Sequence, residues 1–357
     1  MPSSTSSSDR IPAAAPPSSG AYSIYWIWSV RTLASLALFC IAIEGLTRLG
    51  FSHISRIEAR ISHDRRATVR IRKSDKPAVL FVGNSLLLEG LDEARLRDSL
   101  AREAQPVRFP IEQTEYLDWY YGLRRLFADG SQPDFVILCM GVAHLISPQI
   151  RGDYSAYYLF RAGDIPQIGR EVHYDLTKTS SLLLSRFSLF YAGRSALRNF
   201  VLTRSDPAYA EVMRNIGVEP SHRLADEEIE RIAEIRLAAL RQLCSSHGAR
   251  FAFLLAPGFG AGESAVVNAG KRSGTDVMVP IHLNEFDRDK FRDGFHLNHA
   301  GAEIFTGKVS ELIQNRLVNR HESRAVRPVP APAWGSANQL SRHPRLLART
   351  RPLLRGY

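Results

Sequence analysis

The chain has 357 residues, of which 45% are apolar, and a formal net charge of +10 at pH 7. These values allow one large domain or two modest ones with a sizeable core. The positive charge would be compatible with nucleic-acid binding, but much of the excess lies after an apolar N-terminal stretch and in the C-terminal tail. Because there is no zinc-finger spacing and no RNA-binding aromatic motif, we predict no nucleic-acid partner.

The first fifty residues divide into a polar part and an apolar part. Residues 1–20 are rich in Ser, Pro and Ala and are predicted to be disordered. The uninterrupted run at 32–43 reaches the length that a bilayer needs when 22–30 is added, at the cost of the charged Arg31. A membrane anchor, a cleaved signal peptide and a buried core helix all fit this pattern. Because no cleavage site follows cleanly, we predict an uncleaved single-pass anchor over 21–50.

A basic juxtamembrane segment, residues 51–76, is predicted to follow the anchor. The basic residues at this end of the anchor are Arg48, Arg56, Arg60, Arg65, Arg66, Arg70, Arg72 and Lys73, against Arg10 alone before Tyr22. Positive charge is enriched on the cytoplasmic side of membrane helices. The charge distribution alone therefore predicts that the main domain lies in the cytoplasm.

From residue 77 the chain alternates between apolar strands and amphipathic helices. Strands are predicted at 79–83, 107–111, 135–139, 251–255 and 277–281, and helices at 92–104, 115–128, 226–247 and 299–317. Unbroken apolar strands alternating with helices indicate a parallel sheet covered on both faces. We predict an α/β domain over 77–319, a three-layer flavodoxin-like fold with five parallel strands in the order 2-1-3-4-5. This domain contains an insertion at about 145–219, and a basic disordered tail follows the domain at 320–357.

Ser85 directly follows the first predicted strand, in the turn Gly83-Asn84-Ser85. Residues at this position of an open α/β sheet face the crevice beyond the carboxyl ends of the strands. A helix that starts here also offers backbone N–H groups to an oxyanion. Ser85 is therefore a candidate nucleophile, although serine is also a common helix cap.

A second polar cluster precedes the last predicted helix. Asp293 and His296 are three residues apart in a polar turn. A serine nucleophile needs an imidazole to take its proton and a carboxylate to orient that imidazole, and this spacing supplies both from one loop. Such pairs are also frequent by chance as an ordinary turn beside a packed or capping histidine. The combination with Ser85 favours the catalytic interpretation.

These two stretches resemble the first and last signature blocks of the SGNH/GDSL hydrolases. Gly83-Asn84-Ser85-Leu86 and Asp293-Gly294-Phe295-His296-Leu297 carry the resemblance, which covers roughly 77–319. The resemblance implies a flavodoxin-like enzyme that cleaves or transfers acyl esters. It implies Ser85 as nucleophile, His296 as general base and Asp293 as the residue that orients His296.

The sequence departs from the family pattern at the oxyanion hole. The family uses the N–H of the nucleophile, a glycine after the second strand and an asparagine after the third. Here the second strand leads into Glu112-Gln113-Thr114 without a glycine, and Ala143 stands where the asparagine is expected, two residues after Gly141. Candidate oxyanion or substrate-binding residues are Asn84, Gly141 and His144, with Gln113 and Thr114 as further alternatives.

The functional prediction is a membrane-anchored serine esterase or O-acyltransferase that acts through an acyl-serine intermediate. The resemblance, together with the anchor, implies an acylated cell-envelope polysaccharide or a small ester as substrate, and a membrane-embedded protein as one source of acyl groups. It also points to a bacterial-type inner membrane with the domain on the periplasmic side, which conflicts with the charge distribution. We predict neither a metal nor a cofactor. The alternatives are a non-catalytic glycan-binding or scaffold subunit and a basic membrane-surface adaptor.

Overall fold

A five-stranded parallel sheet forms the centre of the computed structural model, which describes residues 19–54, 56–205 and 224–325. The strands are β1 (Ala78–Gly83), β2 (Gln105–Pro110), β3 (Phe135–Met140), β4 (Arg250–Leu255) and β5 (Asp276–Met278), in the spatial order β2-β1-β3-β4-β5. The predicted α/β fold, the parallel sheet and the strand order 2-1-3-4-5 are confirmed. The disorder predicted for 1–18 and 326–357 lies outside the described residues.

Helices surround this sheet. In the described part of the chain they are α1 (Ser19–Ile54), α2 (Arg56–Val69), α3 (Ser85–Gly90), α4 (Glu93–Leu100), α5 (Tyr116–Ala128), α6 (Val142–Ile146), α7 (Asp153–Tyr158), α8 (Ile165–Glu171), α9 (Leu176–Phe187), α10 (Leu189–Ser205), α11 (Asp226–Ser246), α12 (Glu263–Ser273) and α13 (His299–Ala325). By contacts, the chain divides into two compact units, Met1–Gln314 and Asn315–Tyr357. The sheet and the candidate site belong to the first unit.

The central strands are buried on both faces. Every residue of β1 and β3 is buried, and the apolar runs 79–82 and 136–140 are completely inaccessible to solvent. Burial on both faces explains why these strands are continuously apolar rather than alternating. The last strand is shorter than predicted and ends at Met278, because Pro280 has no N–H to donate to a neighbouring strand.

Three segments contain helical residues that the sequence prediction did not include. The segment 51–76, predicted as a basic juxtamembrane segment, contains α2, which packs on β2 and buries Ile61 and Thr68 completely. The insertion at 145–219, which has no simple period in sequence, contains α7 to α10 in its described part, and α12 was not predicted at all. The C-terminal tail begins later than residue 320, since α13 continues to Ala325, shortly before Pro328.

The N-terminal apolar helix lies outside the core. Within α1, the stretch Trp28–Gly50 has 23 residues, a mean hydropathy of 1.6 and no buried residue. Trp26, just before this stretch, and Trp28, its first residue, are 72% and 63% exposed. The buried core-helix interpretation is therefore wrong, and α1 is long and apolar enough to cross a membrane.

Three carboxyl groups are buried near α2 and α5. Burial raises the pKa of Glu58 to about 7 and that of Asp118 to about 6. Burial and the neighbouring Asp118 raise the pKa of Glu115 to about 8, against an ordinary value of 4.5. Each folded carboxyl therefore holds its proton over a pH range in which the unfolded chain has lost it.

The stability of the domain is expected to decrease as the pH rises from about 5 to 8. In this window the folded state binds more protons than the unfolded state, so the free energy of unfolding falls with pH. Glu115→Gln removes one of these groups and should flatten the dependence, with a gain of a few kcal/mol at pH 8, since one pKa unit corresponds to about 1.4 kcal/mol. Chemical denaturation of both proteins at several pH values measures the difference. Parallel curves would contradict the assignment of Glu115.

Candidate functional site

Ser85 is the first residue of α3, and the turn before it is held by Asn84. The Asn84 side chain is completely buried. Its Oδ1 accepts a hydrogen bond from the Leu86 N–H at 3.0 Å, and its Nδ2 donates to the Thr114 carbonyl at 3.3 Å. Asn84 thus joins the end of β1 to the segment after β2. As the first residue of a helix, Ser85 has a backbone N–H with no acceptor inside that helix.

Gly83 allows the end of β1 to lie close to β3. Gly83 pairs with Cys139 across the two parallel strands. A Cβ atom at Gly83 would lie 2.2 Å from the Cys139 carbonyl oxygen, a distance that no real pair of these atoms adopts. The absence of a side chain at Gly83 therefore sets the position from which Ser85 leaves the sheet.

Asp293 and His296 lie in a short loop before α13 that is closed at its base. Phe291 and Leu297 form an antiparallel bridge, and the Arg292 N–H donates to the His296 carbonyl at 2.8 Å. Gly294, with a φ of +91°, provides the left-handed backbone that the tight loop requires. The loop is thus held at a fixed geometry by its own backbone.

Within this loop the Asp293 carboxylate binds the histidine at two points. Its Oδ2 lies 2.7 Å from His296 Nδ1, and its Oδ1 accepts the His296 backbone N–H at 2.9 Å. Partial burial opposes ionisation of Asp293, but the hydrogen bonds from the side chain and backbone of His296 outweigh it and lower the pKa of Asp293 to about 2. An ionised Asp293 fixes the proton of a neutral His296 on Nδ1, which leaves the lone pair on Nε2.

The free nitrogen of His296 is buried and unsatisfied. The His296 side chain is 14% exposed, and its Nε2 has no hydrogen-bond partner among the residues that the structure describes. It therefore does not bond to Ser85 Oγ in this structure. Buried polar atoms in folded proteins are normally paired, and a catalytic role is one of the explanations for an unpaired one. Phe295, half exposed, packs on the imidazole with a ring-centroid distance of 3.9 Å.

His144 adds a second imidazole to this region. It lies in α6, which Gly141 caps directly after β3. Its Nδ1 is also buried without a hydrogen-bond partner in the described residues, and it lies against Gly141, 3.4 Å from the position a Cβ would occupy. Burial lowers the pKa of His144, and the nearby charge of His296 lowers it further. His144 is therefore neutral near pH 7 and close to His296.

Contacts between the segments bring these residues to one edge of the sheet. Leu86, next to Ser85, lies against Gly141, at 3.4 Å from the position of a Cβ there. At the other end of α3, Glu89 pairs with Arg292 at 3.4 Å. The segments after β1 and β3 and the loop before α13 thus meet beyond the carboxyl ends of the two strands, at the point where the strand order reverses.

The remaining predicted donors are placed differently. Thr114 is buried, where its hydroxyl donates to the Ile111 carbonyl and accepts from the Trp119 indole, so it is committed to the core. Gln113 is exposed and has a φ of +59°, the conformation that glycine favours. Ala143 is exposed and has no side-chain donor. Contact of Asn84 with a substrate stays a prediction, and the hydrogen bonds of its amide support a role in holding the turn.

Two residues of the site were missed in the sequence. Arg292, beside Asp293, reaches Glu89 across more than two hundred residues of chain, a pairing that only the fold reveals. Phe295 lies inside the predicted motif, and its aromatic type next to His296 could have indicated that it covers the imidazole. Among the described residues, no group of three or more His, Cys, Asp and Glu side chains could hold a metal ion.

Comparison with known proteins gives no assignment. No family model matches the chain, and no curated protein matches its sequence.

Substitution of Gly83 tests whether the close approach of β1 and β3 requires a residue without a side chain. Gly83→Ala is expected to destabilise the domain by roughly 1–3 kcal/mol or more, because the new methyl group meets the Cys139 carbonyl and the strands must move apart. Gly307→Ala is the matched control, since Gly307 lies in a helix where the nearest atom to an added Cβ is the end of the Arg95 side chain at 4.0 Å, and the substitution should gain about 0.4–1 kcal/mol. Thermal or urea unfolding measures both. Equal stability of the two variants would refute the close-approach argument.

Proposed function

We propose that the chain is a membrane-anchored serine hydrolase or acyltransferase of the SGNH/GDSL type that acts on acyl esters. The observation that carries the proposal is the state of His296. Its Nδ1 is hydrogen-bonded to an ionised Asp293, while its Nε2 is buried and has no hydrogen-bond partner among the described residues. Its loop meets α3, which Ser85 begins, through the Glu89–Arg292 pair. General-base activation of a serine requires an oriented imidazole with a free lone pair of this kind.

In the proposed reaction Ser85 Oγ attacks the ester carbonyl carbon while His296 Nε2 takes the hydroxyl proton. The tetrahedral intermediate then expels the alcohol, which receives that proton from His296, and the acyl group remains on Ser85. Water or an acceptor hydroxyl gives its proton to His296 as it attacks the acyl-serine, and Ser85 is regenerated. Asp293 stabilises the imidazolium in both half-reactions and stays ionised throughout.

Activation requires Ser85 Oγ and His296 Nε2 to approach, because they are not hydrogen-bonded in the structure. Catalytic hydrogen bonds of this kind commonly form only in the substrate complex. The proposed mechanism therefore requires the Ser85 side chain or the Asp293–His296 loop to move on substrate binding. The Glu89–Arg292 pair, whose side chains are 35% and 56% exposed, offers little resistance to movement of the loop.

We propose the Ser85 backbone N–H and the His144 imidazole as oxyanion donors. The Ser85 N–H stands at the start of α3 without a helical acceptor. His144 is neutral and carries one N–H. It directly follows Ala143, which stands at the expected asparagine position and has no side-chain donor. A pair of preorganised donors in a buried site stabilises the charge that develops on the carbonyl oxygen.

The substrate class rests on the resemblance and on the anchor. We propose an acylated cell-envelope polysaccharide or a small ester, with a membrane-embedded protein as a source of acyl groups where the reaction is a transfer. The α1 helix would keep the site near such a donor. The runner-up is a non-catalytic subunit that binds glycan or organises an export complex, which the missing Ser85–His296 hydrogen bond and the exposed Ala143 favour.

Hydrolysis of p-nitrophenyl acetate by the purified full chain tests the catalytic proposal. Ser85→Ala and His296→Ala should both abolish turnover. Asp293→Asn should lower kcat roughly 1,000- to 10,000-fold through loss of the histidine orientation, and His144→Ala about 100- to 1,000-fold through loss of an oxyanion donor. His299→Ala is the control, because His299 is 81% exposed and outside the proposed machinery.

A fluorophosphonate probe gives an independent reading of the same proposal. It should label the wild-type chain at Ser85 and leave Ser85→Ala unlabelled. Equal esterase rates in wild type and Ser85→Ala, or a folded wild-type chain that resists labelling yet binds glycan, would support the non-catalytic alternative instead.

We further propose that the domain lies on the periplasmic side of a bacterial-type inner membrane. The membrane-tethered proteins that the chain resembles act outside this membrane. The charge distribution opposes this placement, but several of the basic residues after α1 are bound within the domain. Arg60 pairs with Glu112 at 2.6 Å, and Lys73 pairs with Asp134 at 2.9 Å. These partners give the basic residues a role in the fold that is independent of membrane side.

Cysteine labelling in cells tests this orientation. Ile235 is 48% exposed on α11, and Cys139 and Cys244 are buried. In a Cys40→Ser background, Ile235→Cys should react with a membrane-impermeant maleimide once the outer membrane is permeabilised. Reaction that appears only after the inner membrane is broken would place the domain in the cytoplasm.

A further inference from the structure

One face of the helix α9 carries large apolar side chains that are exposed. They are Leu176, Leu183, Leu184 and Phe187, with exposed fractions of 86%, 44%, 50% and 59%. Their spacing places them on one face of the helix. The other side of α9 packs on the domain and buries Leu182 and Ser185. Four large apolar side chains exposed on one helix face suit an apolar environment better than water.

This apolar face continues into the start of α10, and the connection between the two helices is attached to α1. Phe190 is 41% exposed. The Glu44 carboxylate accepts hydrogen bonds from the Ser188 hydroxyl at 2.7 Å and from the Leu189 N–H at 2.9 Å. Arg48 donates to the Phe187 carbonyl at 2.9 Å. The connection between α9 and α10 is therefore held at a defined height along the apolar helix.

The part of α1 that holds this connection lies near the end of the candidate membrane span. The span ends at Gly50, six residues after Glu44, which is about 9 Å along a helix with a rise of 1.5 Å per residue. Amphipathic helices at a membrane surface bury their apolar faces about 5–10 Å into the boundary between headgroups and acyl chains. At the same level, Leu46 and Leu49 of α1 are 71% and 74% exposed, so exposed apolar surface of α1 and the apolar face of the α9–α10 corner lie at the same depth.

We propose that the exposed face of α9 and the first turn of α10 lie in the interfacial region of the bilayer that α1 crosses. The domain would then touch the membrane at a second place besides its anchor. The common depth with the exposed apolar surface of α1 favours lipid over a second protein as the occupant. Arg186 borders the face, where a cation meets anionic headgroups. This inference rests on the proposed anchoring and is independent of the proposed chemistry.

Spin-label accessibility on the full chain in vesicles tests the proposal. The vesicles contain phosphatidylcholine with a minor fraction of phosphatidylglycerol. A nitroxide at Leu184→Cys, in a Cys40→Ser background, is compared with one at Ile235→Cys, since Leu184 and Ile235 are similarly exposed helical aliphatic residues. The label at 184 should show a several-fold higher ratio of collision with oxygen to collision with a water-soluble nickel complex. A label at Phe187→Cys provides a second reporter of the same face.

A spin label on the native Cys40 distinguishes failure of this inference from failure of the proposed anchoring. Cys40 is exposed on α1 within the candidate span. If its label is lipid-accessible while those at 184 and 187 resemble that at 235, the corner lies in water and the inference is overturned. Labels at 184 and 187 shielded from both reagents would mean that protein covers the face, which also overturns it. A water-accessible Cys40 would overturn the anchoring itself, and none of these outcomes bears on esterase activity.

Discussion

The close contact between β1 and β3 at Gly83 is the constraint on which the candidate site depends. Because Gly83 has no side chain, the end of β1 lies against the Cys139 carbonyl, and the segments that leave the two strands are side by side. Asn84 then fixes the exit of the chain into α3. Ser85 and His144 are therefore positioned by backbone geometry, and the loop before α13 adds Asp293 and His296 to a platform that is already formed.

A second set of interactions connects the apolar helix to the domain. Glu44 and Arg48 bind the corner between α9 and α10, and α2 continues from α1 onto β2. The apolar helix is thus part of the folded unit and not a tether of variable length. Under the proposed anchoring, the domain would present the candidate site at a defined angle to the membrane.

The sequence predicted the sheet well because its strands are buried on both faces, and burial leaves an unbroken apolar signal such as that at 79–82. It also predicted the contact between Asp293 and His296, because a short loop carries its own geometry; the catalytic roles of Ser85, Asp293 and His296 stay a prediction. It did not predict α12 or the helices of the insertion, where Leu and Phe face outward on one side of α9. The Glu89–Arg292 and Glu44–Leu189 contacts join distant parts of the chain, and no local pattern encodes them.

The compact loop that carries Asp293 and His296 has a consequence for control. Since Asp293 binds both the backbone and the ring of His296, the carboxylate and the imidazole can only move as one body. Any displacement of the loop changes the separation from Ser85 and leaves the orientation of the imidazole intact. In the proposed mechanism the proton acceptor would thus always be oriented, and the distance between Ser85 Oγ and His296 Nε2 would determine whether the serine is nucleophilic.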